Sequence, residues 1–389
     1  MELAITGLGV VSGLGVGREA FFAALQDAKA ARQKAFRGAS DVLEAFPDAN
    51  TAEVWDWDPK PWLGDKGHRN NDQLTKYLIT AAKLALIDAG IKDAEGIFLR
   101  YSGERVGLSS ATAYGSLDAI AELNRVAELE DPRYINPQRF PNTVINAAAG
   151  YVSIWEGLMA PNTTVVNGNC GSLDAVLSGH THLAFGRADA MVIGGGEIVC
   201  ESLYVALSKL GVLADMRSDG LGISVGEGAG FLVVEDAEKA WERSANVLGY
   251  IRGYGTAFDT PQSEAVLVHA SSDAVEAAIL QALEEAEVEP DEVDVVASAR
   301  CGLPSIDDAE LHGIRAVFGH DVCVTAPKLV TGENFGAAGV FGMIMALGWM
   351  HGAPVEPRVA GPKTGEVGTA VVVSVGYYGN VSAVVVTKE

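Results

Sequence analysis

The stretch Val165-Val166-Asn167-Gly168-Asn169-Cys170-Gly171-Ser172 decides the reading of this chain. A β-branched run breaks at Asn167-Gly168-Asn169 and a helix is predicted from Ser172, so Cys170 falls where the helix begins. Backbone amides at a helix start carry partial positive charge, which lowers the pKa of a thiol held there and can hold an oxyanion. The spacing therefore predicts Cys170 as a nucleophile with a depressed pKa. The plainer alternative is a small apolar residue at a crowded turn. Gly168-x-Cys170-x-Ser172 also comes close to the nucleophile elbow of hydrolases, which ends in glycine and needs a histidine base. His180 and His182 lie too far along the same predicted helix to turn back easily, which leaves His312, His320 and His351.

Outward from this turn, strands and helices alternate. Leu3 to Val11 reads as a strand ending in Gly-rich turns, Phe21 to Leu25 as a short helix, and residues 74–89 as a helix with Leu74, Leu78, Ala81, Ala82, Ala85 and Leu86 at helical spacing. Val106 to Leu108, Ala190 to Gly194 and Gly230 to Val234 read as further strands. The pattern then repeats. Val247 to Gly255 is like the opening strand with its G-x-G, a helix follows over 273–286, and strands are predicted at Asp294 to Ala297 and at Cys323 to Thr325. Thr369 to Val375 and Val381 to Val386 read as a closing hairpin. Two similar halves, 1–240 with the nucleophile turn and 241–389, predict an internally duplicated α/β fold packed as one body.

Composition narrows the function classes. Of 389 residues 48% are hydrophobic and 20% charged, which excludes a disordered or fibrous chain. With 28 Lys plus Arg against 51 Asp plus Glu, the formal net charge is −23, so nucleic acid and anionic membranes are expected to be repelled. An acidic carrier protein would be repelled too, unless basic residues gather in one patch. Four widely spaced cysteines, with no CxxC pair, point to a reducing cytoplasm, and Met1 to Ala4 lacks the basic region of a secretory signal. Asn334 to Val355 contains no Asp, Glu, Lys or Arg, and its glycines suit a buried helix of a core better than a membrane span. Gly7-Leu8-Gly9 lacks the third glycine of a dinucleotide fingerprint, and Gly194-Gly195-Gly196-Glu197 lacks a P-loop lysine. Both are expected to be structural turns. No cluster has metal-ligand spacing, so neither metal nor cofactor is expected.

Taken in order, several stretches together resemble the β-ketoacyl synthase family. They are Ile5-Thr6-Gly7-Leu8-Gly9-Val10-Val11-Ser12, Asn146-Ala147-Ala148-Ala149-Gly150, and Asn169-Cys170 through Gly186-Arg187-Ala188-Asp189-Ala190 to Gly194-Gly195-Gly196-Glu197. Arg217-Ser218-Asp219-Gly220, Gly226-Glu227-Gly228-Ala229-Gly230 and Lys328 with Gly332 before Gly336-Ala337-Ala338-Gly339 complete the set. The resemblance spans nearly the whole chain and implies a duplicated five-layer α/β/α/β/α thiolase fold. It also implies acyl-carrier-protein thioesters as substrates, and a homodimer or a heterodimer with an intact ketosynthase subunit. The dimer contact is expected near Ala147 to Val165, where Val152, Ile154, Trp155, Leu158 and Met159 are apolar.

The departures from the family pattern carry the functional reading. Along Ser298 to Leu311, where Gly302, Pro304, Asp307 and Glu310 match, the position of the first active-site histidine holds Ala299. The second histidine position, after Gly332, holds Glu333. In the family those imidazoles stabilise negative charge on the malonyl thioester oxygen, and loss of one such donor typically costs about 3–4 kcal/mol. Glu333 is expected to pair with Lys328. Tyr377 stands at the gating aromatic position of a GFGG-like turn, Gly376-Tyr377-Tyr378-Gly379, where bulky Tyr378 replaces a glycine and threatens to fill the pocket. The loop before Arg217 is shortened to Leu213-Ala214-Asp215.

Loss of both histidines is similar to the chain-length factors of type II polyketide synthases, although those usually carry glutamine where Cys170 stands here. The resemblance thus implies a chain-length-factor-like or non-elongating partner in fatty acid or polyketide assembly, cytoplasmic and without a cofactor. The enzymatic alternative is an acyltransferase or atypical condensing enzyme, with Cys170 taking the acyl group over the amides of Cys170 and Tyr377. In this scheme Cys170, Lys328 and Glu333 form the catalytic set. Tyr377, Tyr378 and Ala299 line the oxyanion side, and Asp307, Glu310 and Glu227 support them.

Overall fold

The computed structural model describes residues 1–38, 40, 42–216, 219, 221–263 and 265–389. The chain builds its sheet from two sets of strands. The first is β1 (Leu3–Ser12), the two-residue β2 (Gly15–Val16), β3 (Val106–Ala111), β4 (Asn162–Val165), β5 (Ala190–Glu197) and β6 (Gly228–Asp236). The second is β7 (Gly249–Phe258), β8 (Val295–Ala297), β9 (Cys323–Thr325), β10 (Arg358–Ala360), β11 (Thr369–Val375) and β12 (Asn380–Thr387). Their order is β10-β9-β8-β11-β12-β7-β1-β6-β5-β3-β4, with β2 paired to β1.

That order is a duplication. Outward from the centre, β1-β6-β5-β3-β4 mirrors β7-β12-β11-β8-β9, and in each series two antiparallel pairings precede two parallel ones. The two sets also hydrogen-bond to each other where Leu3, Ala4 and Ile5 pair with Ile251, Tyr250 and Gly249. The halves thus share one continuous sheet. The helices Gly171–Ala184 and Ala338–Met350 pack on each other and touch strands of both sets, which puts them between the two sheet halves. Gln73–Asp88 covers β1 and β6 from outside, and Ser272–Ala286 covers β7 and β12. The layers run α/β/α/β/α, as the family resemblance implies.

Burial explains the charge-free stretch. Every residue of the helix Ala338–Met350 is buried, so it has no polar face to offer. Among the described residues no helix is long and apolar enough to cross a membrane.

The G-x-G pairs have a different role from the one their spacing suggested. Gly7 and Gly9 lie inside β1, and Gly253 and Gly255 inside β7, so neither pair is a turn. A Cβ on Gly9 would come within 2.0 Å of Ala81 O, and one on Gly255 within 2.0 Å of Ala278 O. Alternate strand residues face one side. In each half two glycines therefore let a covering helix approach the strand backbone to backbone. Gly194, Gly195 and Gly196 likewise lie within β5 rather than in a turn.

Gly9→Ala should consequently lower the denaturation midpoint by the equivalent of about 1–3 kcal/mol, since the obstructing atoms are main chain. Gly150→Ala is the matched control. It lies in the helix Ala147–Glu156 with nothing near a new Cβ, and should be neutral or stabilising by up to about 1 kcal/mol. Equal midpoints for the two variants would refute the close-approach explanation.

Candidate active site

Cys170 is the residue before the first turn of the helix Gly171–Ala184, and its carbonyl accepts the amides of Leu173 and Asp174. Its own N–H donates to Asn167 O at 3.2 Å within the turn. The side chain has no exposed surface. Its sulfur lies 3.4 Å from Ser374 O and 3.5 Å from Asn380 O, at the facing ends of β11 and β12. Two carbonyl oxygens at that range favour S–H over the thiolate.

The depressed pKa expected from the helix start is therefore overturned. Burial, then the charge of Asp174, pushes the Cys170 thiol up to about 12, against the weaker pull of the Ser382 hydroxyl, the Gly376 amide and Lys328. Asp174 was not singled out from the sequence. Its carboxylate accepts from Ser382 Oγ at 2.5 Å, Asn167 Nδ2 at 2.5 Å and Tyr254 Oη at 2.8 Å. An acid in the first turn of a helix is ordinary, so nothing in the pattern marked it.

Beside the nucleophile turn lies a buried ion pair. Lys328 Nζ and Glu333 Oε2 are 2.7 Å apart, and Glu333 is only 1% exposed. The carboxylate also accepts from Tyr377 Oη at 2.6 Å, Phe335 N at 2.9 Å and Asn169 Nδ2 at 3.4 Å. Burial opposes the charge on Lys328, but the neighbouring Glu333 outweighs it and holds the lysine above its ordinary pKa. Burial and the surrounding negative charge likewise raise the Tyr377 hydroxyl well above the phenol range. Phe335 has a left-handed φ of 41°, and its amide is held by Glu333. Its ring meets Tyr114 at 5.1 Å and Tyr377 at 6.4 Å.

The other predicted residues fall into two groups. Ala299 is buried and donates its backbone N–H to Glu310 Oε1 at 2.5 Å, while Asp307 Oδ1 accepts from Cys301 N at 2.9 Å and Gly302 N at 3.3 Å. Both acids lie on the helix Pro304–Phe318 and tie down the loop that holds Ala299. Burial raises Glu310 to about 8. Glu227 joins three segments by accepting from Val54 N, Val199 N and Tyr77 Oη, and burial raises it to about 7. Tyr378, by contrast, is 45% exposed, so it does not fill the pocket as its size suggested. Arg217, Ser218 and Gly220, named in the family stretch, lie outside the described residues.

One further residue is marked in the sequence only as the end of a glycine-rich stretch, with no role. Glu197 ends β5, is buried, and accepts from Thr112 Oγ1 at 2.9 Å and from Ala113 N. It thereby holds the loop that carries Tyr114 against Phe335. Of the histidines left as possible hydrolase bases, His312 bonds to Asp308 O and His351 to Leu248 O, while His182, already set aside, bonds to Thr163. Among the described residues no group of three His, Cys, Asp or Glu side chains could hold a metal ion.

Comparisons with known proteins agree on one family. Residues 1–240 match the family model described as beta-ketoacyl synthase, N-terminal domain, and residues 248–360 match its C-terminal domain. The chain is 28% identical over 366 residues to a 3-oxoacyl-[acyl-carrier-protein] synthase 2 of Coxiella burnetii, covering 89% of this chain and 85% of that one. It is 28% identical over 420 residues to the tetracenomycin polyketide synthase ketoacyl synthase beta subunit of Streptomyces glaucescens, covering 99% and 98%. A solved ishigamide ketosynthase/chain length factor superposes with a TM-score of 0.82 at 25% identity, covering 100% of this chain and 99% of the other.

The thiol's surroundings set its reactivity. With the pKa pushed up to about 12, the thiolate of Cys170 at pH 8 is roughly a thousandfold scarcer than that of a free cysteine. Iodoacetamide should label Cys170 of the folded protein far more slowly than a model thiol, and faster as pH rises toward 10. Rapid labelling at pH 7 would mean that the turn activates the thiol after all.

Proposed function

Because the chain belongs to the β-ketoacyl synthase family, we propose that it is a non-elongating, chain-length-factor-like partner in fatty acid or polyketide assembly. The observation that carries this reading is what stands at the two histidine positions. Ala299 presents a methyl group, and Glu333 presents a carboxylate already saturated by Lys328, Tyr377, Phe335 and Asn169. Decarboxylative condensation needs donors aimed at a developing oxyanion. Here an acceptor occupies one position and the nearby donors are turned toward it.

In this reading the nucleophile turn is kept as architecture. Cys170 fills the junction between the central helix and the β11–β12 hairpin, while Lys328, Glu333 and Tyr377 lock the hairpin tip to the turn. Asp307, Glu310 and Glu227 fix the loops around them. The halves 1–240 and 241–389 act as one scaffold, and acyl-carrier-protein thioesters are the molecules it works beside.

A second subunit supplies the chemistry. Among the described residues β4 pairs only with β3 and ends the sheet, leaving an edge beside exposed Ile154, Met159 and Val166. Val152 and Leu158 of the predicted contact cluster turn into the core instead. The edge supports pairing with another ketosynthase-fold chain, and an intact Cys-His-His subunit is the partner proposed. The absence of cysteine pairing agrees with a cytoplasmic location.

Purified alone with malonyl- and acyl-carrier thioesters, the chain should yield no ketoacyl product above background. Co-purified with an intact ketosynthase, it should give a heterodimer that elongates. Robust product from the partner-free chain would overturn the proposal. Acyl-Cys170 seen by intact mass without product would instead favour the acyltransferase alternative.

A further inference from the structure

One cavity lies away from Cys170. It is a groove of about 590 Å³ between the helices Ala28–Ala35 and Lys328–Thr331 and the segment 354–357. Its walls include Leu329, Val330, Pro354 and Pro357, and Leu329 is 37% exposed there. Lys29 and Arg32 project from one helix, and Asp27 and Glu356 also line the space. The volume falls within the ~300–1,000 Å³ usual for small-molecule sites.

Charge in the groove is unevenly spent. Asp27 Oδ1 accepts from Ala30 N at 3.0 Å and Glu356 Oε2 from Arg358 N at 2.8 Å, so both acids serve their own backbone. Half-buried Arg32 has no carboxylate partner among the described residues. It donates to Leu329 O and lies 4.5 Å from the Phe36 ring centroid. A guanidinium has five donors in a fork that fits a carboxylate. In a chain of net charge −23, an unpaired guanidinium against an apolar wall marks a place for an anion with a hydrocarbon body.

We propose that this groove binds one aliphatic carboxylate, with its head group on Arg32 and Lys29 and its chain along Leu329, Val330, Pro354 and Pro357. Two rim carboxylates, Asp27 and Glu356, disfavour a polyphosphate or a nucleotide. The helix Lys328–Thr331 forms one wall of the groove and carries the lysine of the buried ion pair, so the ligand would bear on the same four residues from the opposite side.

Isothermal titration of the full chain with decanoate, below its micelle concentration, should show one site. Decan-1-ol, which has no charge, and acetate, which has no chain, should each bind at least tenfold more weakly. Arg32→Gln keeps a donor for Leu329 O but loses the fork, and should weaken decanoate roughly tenfold to a hundredfold. Ala28→Trp, one turn before Arg32 on the same helix, puts an indole into the groove and should abolish binding independently if Arg32→Gln fails to fold. No decanoate binding by the wild type, or affinity unchanged in both variants, would overturn the proposal, as would decan-1-ol binding as tightly as decanoate.

Discussion

An ammonium and a carboxylate removed from water together are the constraint on which the rest of this site depends. Burying either charge alone costs several kcal/mol, and the pair is tolerated only with good geometry and its remaining hydrogen bonds satisfied. Lys328 and Glu333 meet that condition with a 2.7 Å contact and donors from Tyr377, Phe335 and Asn169. Each donor comes from a different piece of the structure: the hairpin tip, the turn before the central helix Ala338–Met350, and the residue before Cys170. Satisfying one carboxylate therefore fixes the relative positions of three segments around the thiol.

The same arrangement decides which effect wins at Cys170. A helix start favours a thiolate by about 0.3–1 kcal/mol in ordinary exposed geometry. Holding the thiol at about 12 instead of its ordinary 9.0 corresponds to about 4 kcal/mol in the opposite direction. Burial, Asp174 in the next turn and two carbonyl oxygens overwhelm the dipole. A cysteine can keep its place at a helix start and still be held as a thiol by its neighbours alone.

Much of this was legible from the residues. Alternation of strands and helices, the repeat of G-x-G at Gly7 and Gly253, and the charge-free helix after Asn334 all have direct structural counterparts, and Lys328 pairs with Glu333 as expected. What could not be read was environment. The glycines looked like turns because spacing does not reveal that a helix backbone lies against Gly9 and Gly255. Cys170 looked activated because local sequence reports the helix start but not the hairpin ends, some 200 residues on, that enclose the sulfur. Asp174 and Glu197 became visible only when long-range contacts brought Tyr254, Ser382 and Thr112 to them. Size alone misplaces Tyr378, since one residue's step along the hairpin tip turns it outward while Tyr377 turns in.

A double-mutant cycle on the ion pair tests this view most directly. Denaturation would be followed for Lys328→Met, Glu333→Leu and the double variant, against the wild type. Each single change leaves a buried charge without its partner and is expected to cost about 3–5 kcal/mol. The double variant removes both charges and should recover most of that loss, giving a coupling energy well above the ~0.5 kcal/mol scatter of independent sites. Additive costs, with no recovery in the double variant, would show that Lys328 and Glu333 do not act as the paired centre of this site.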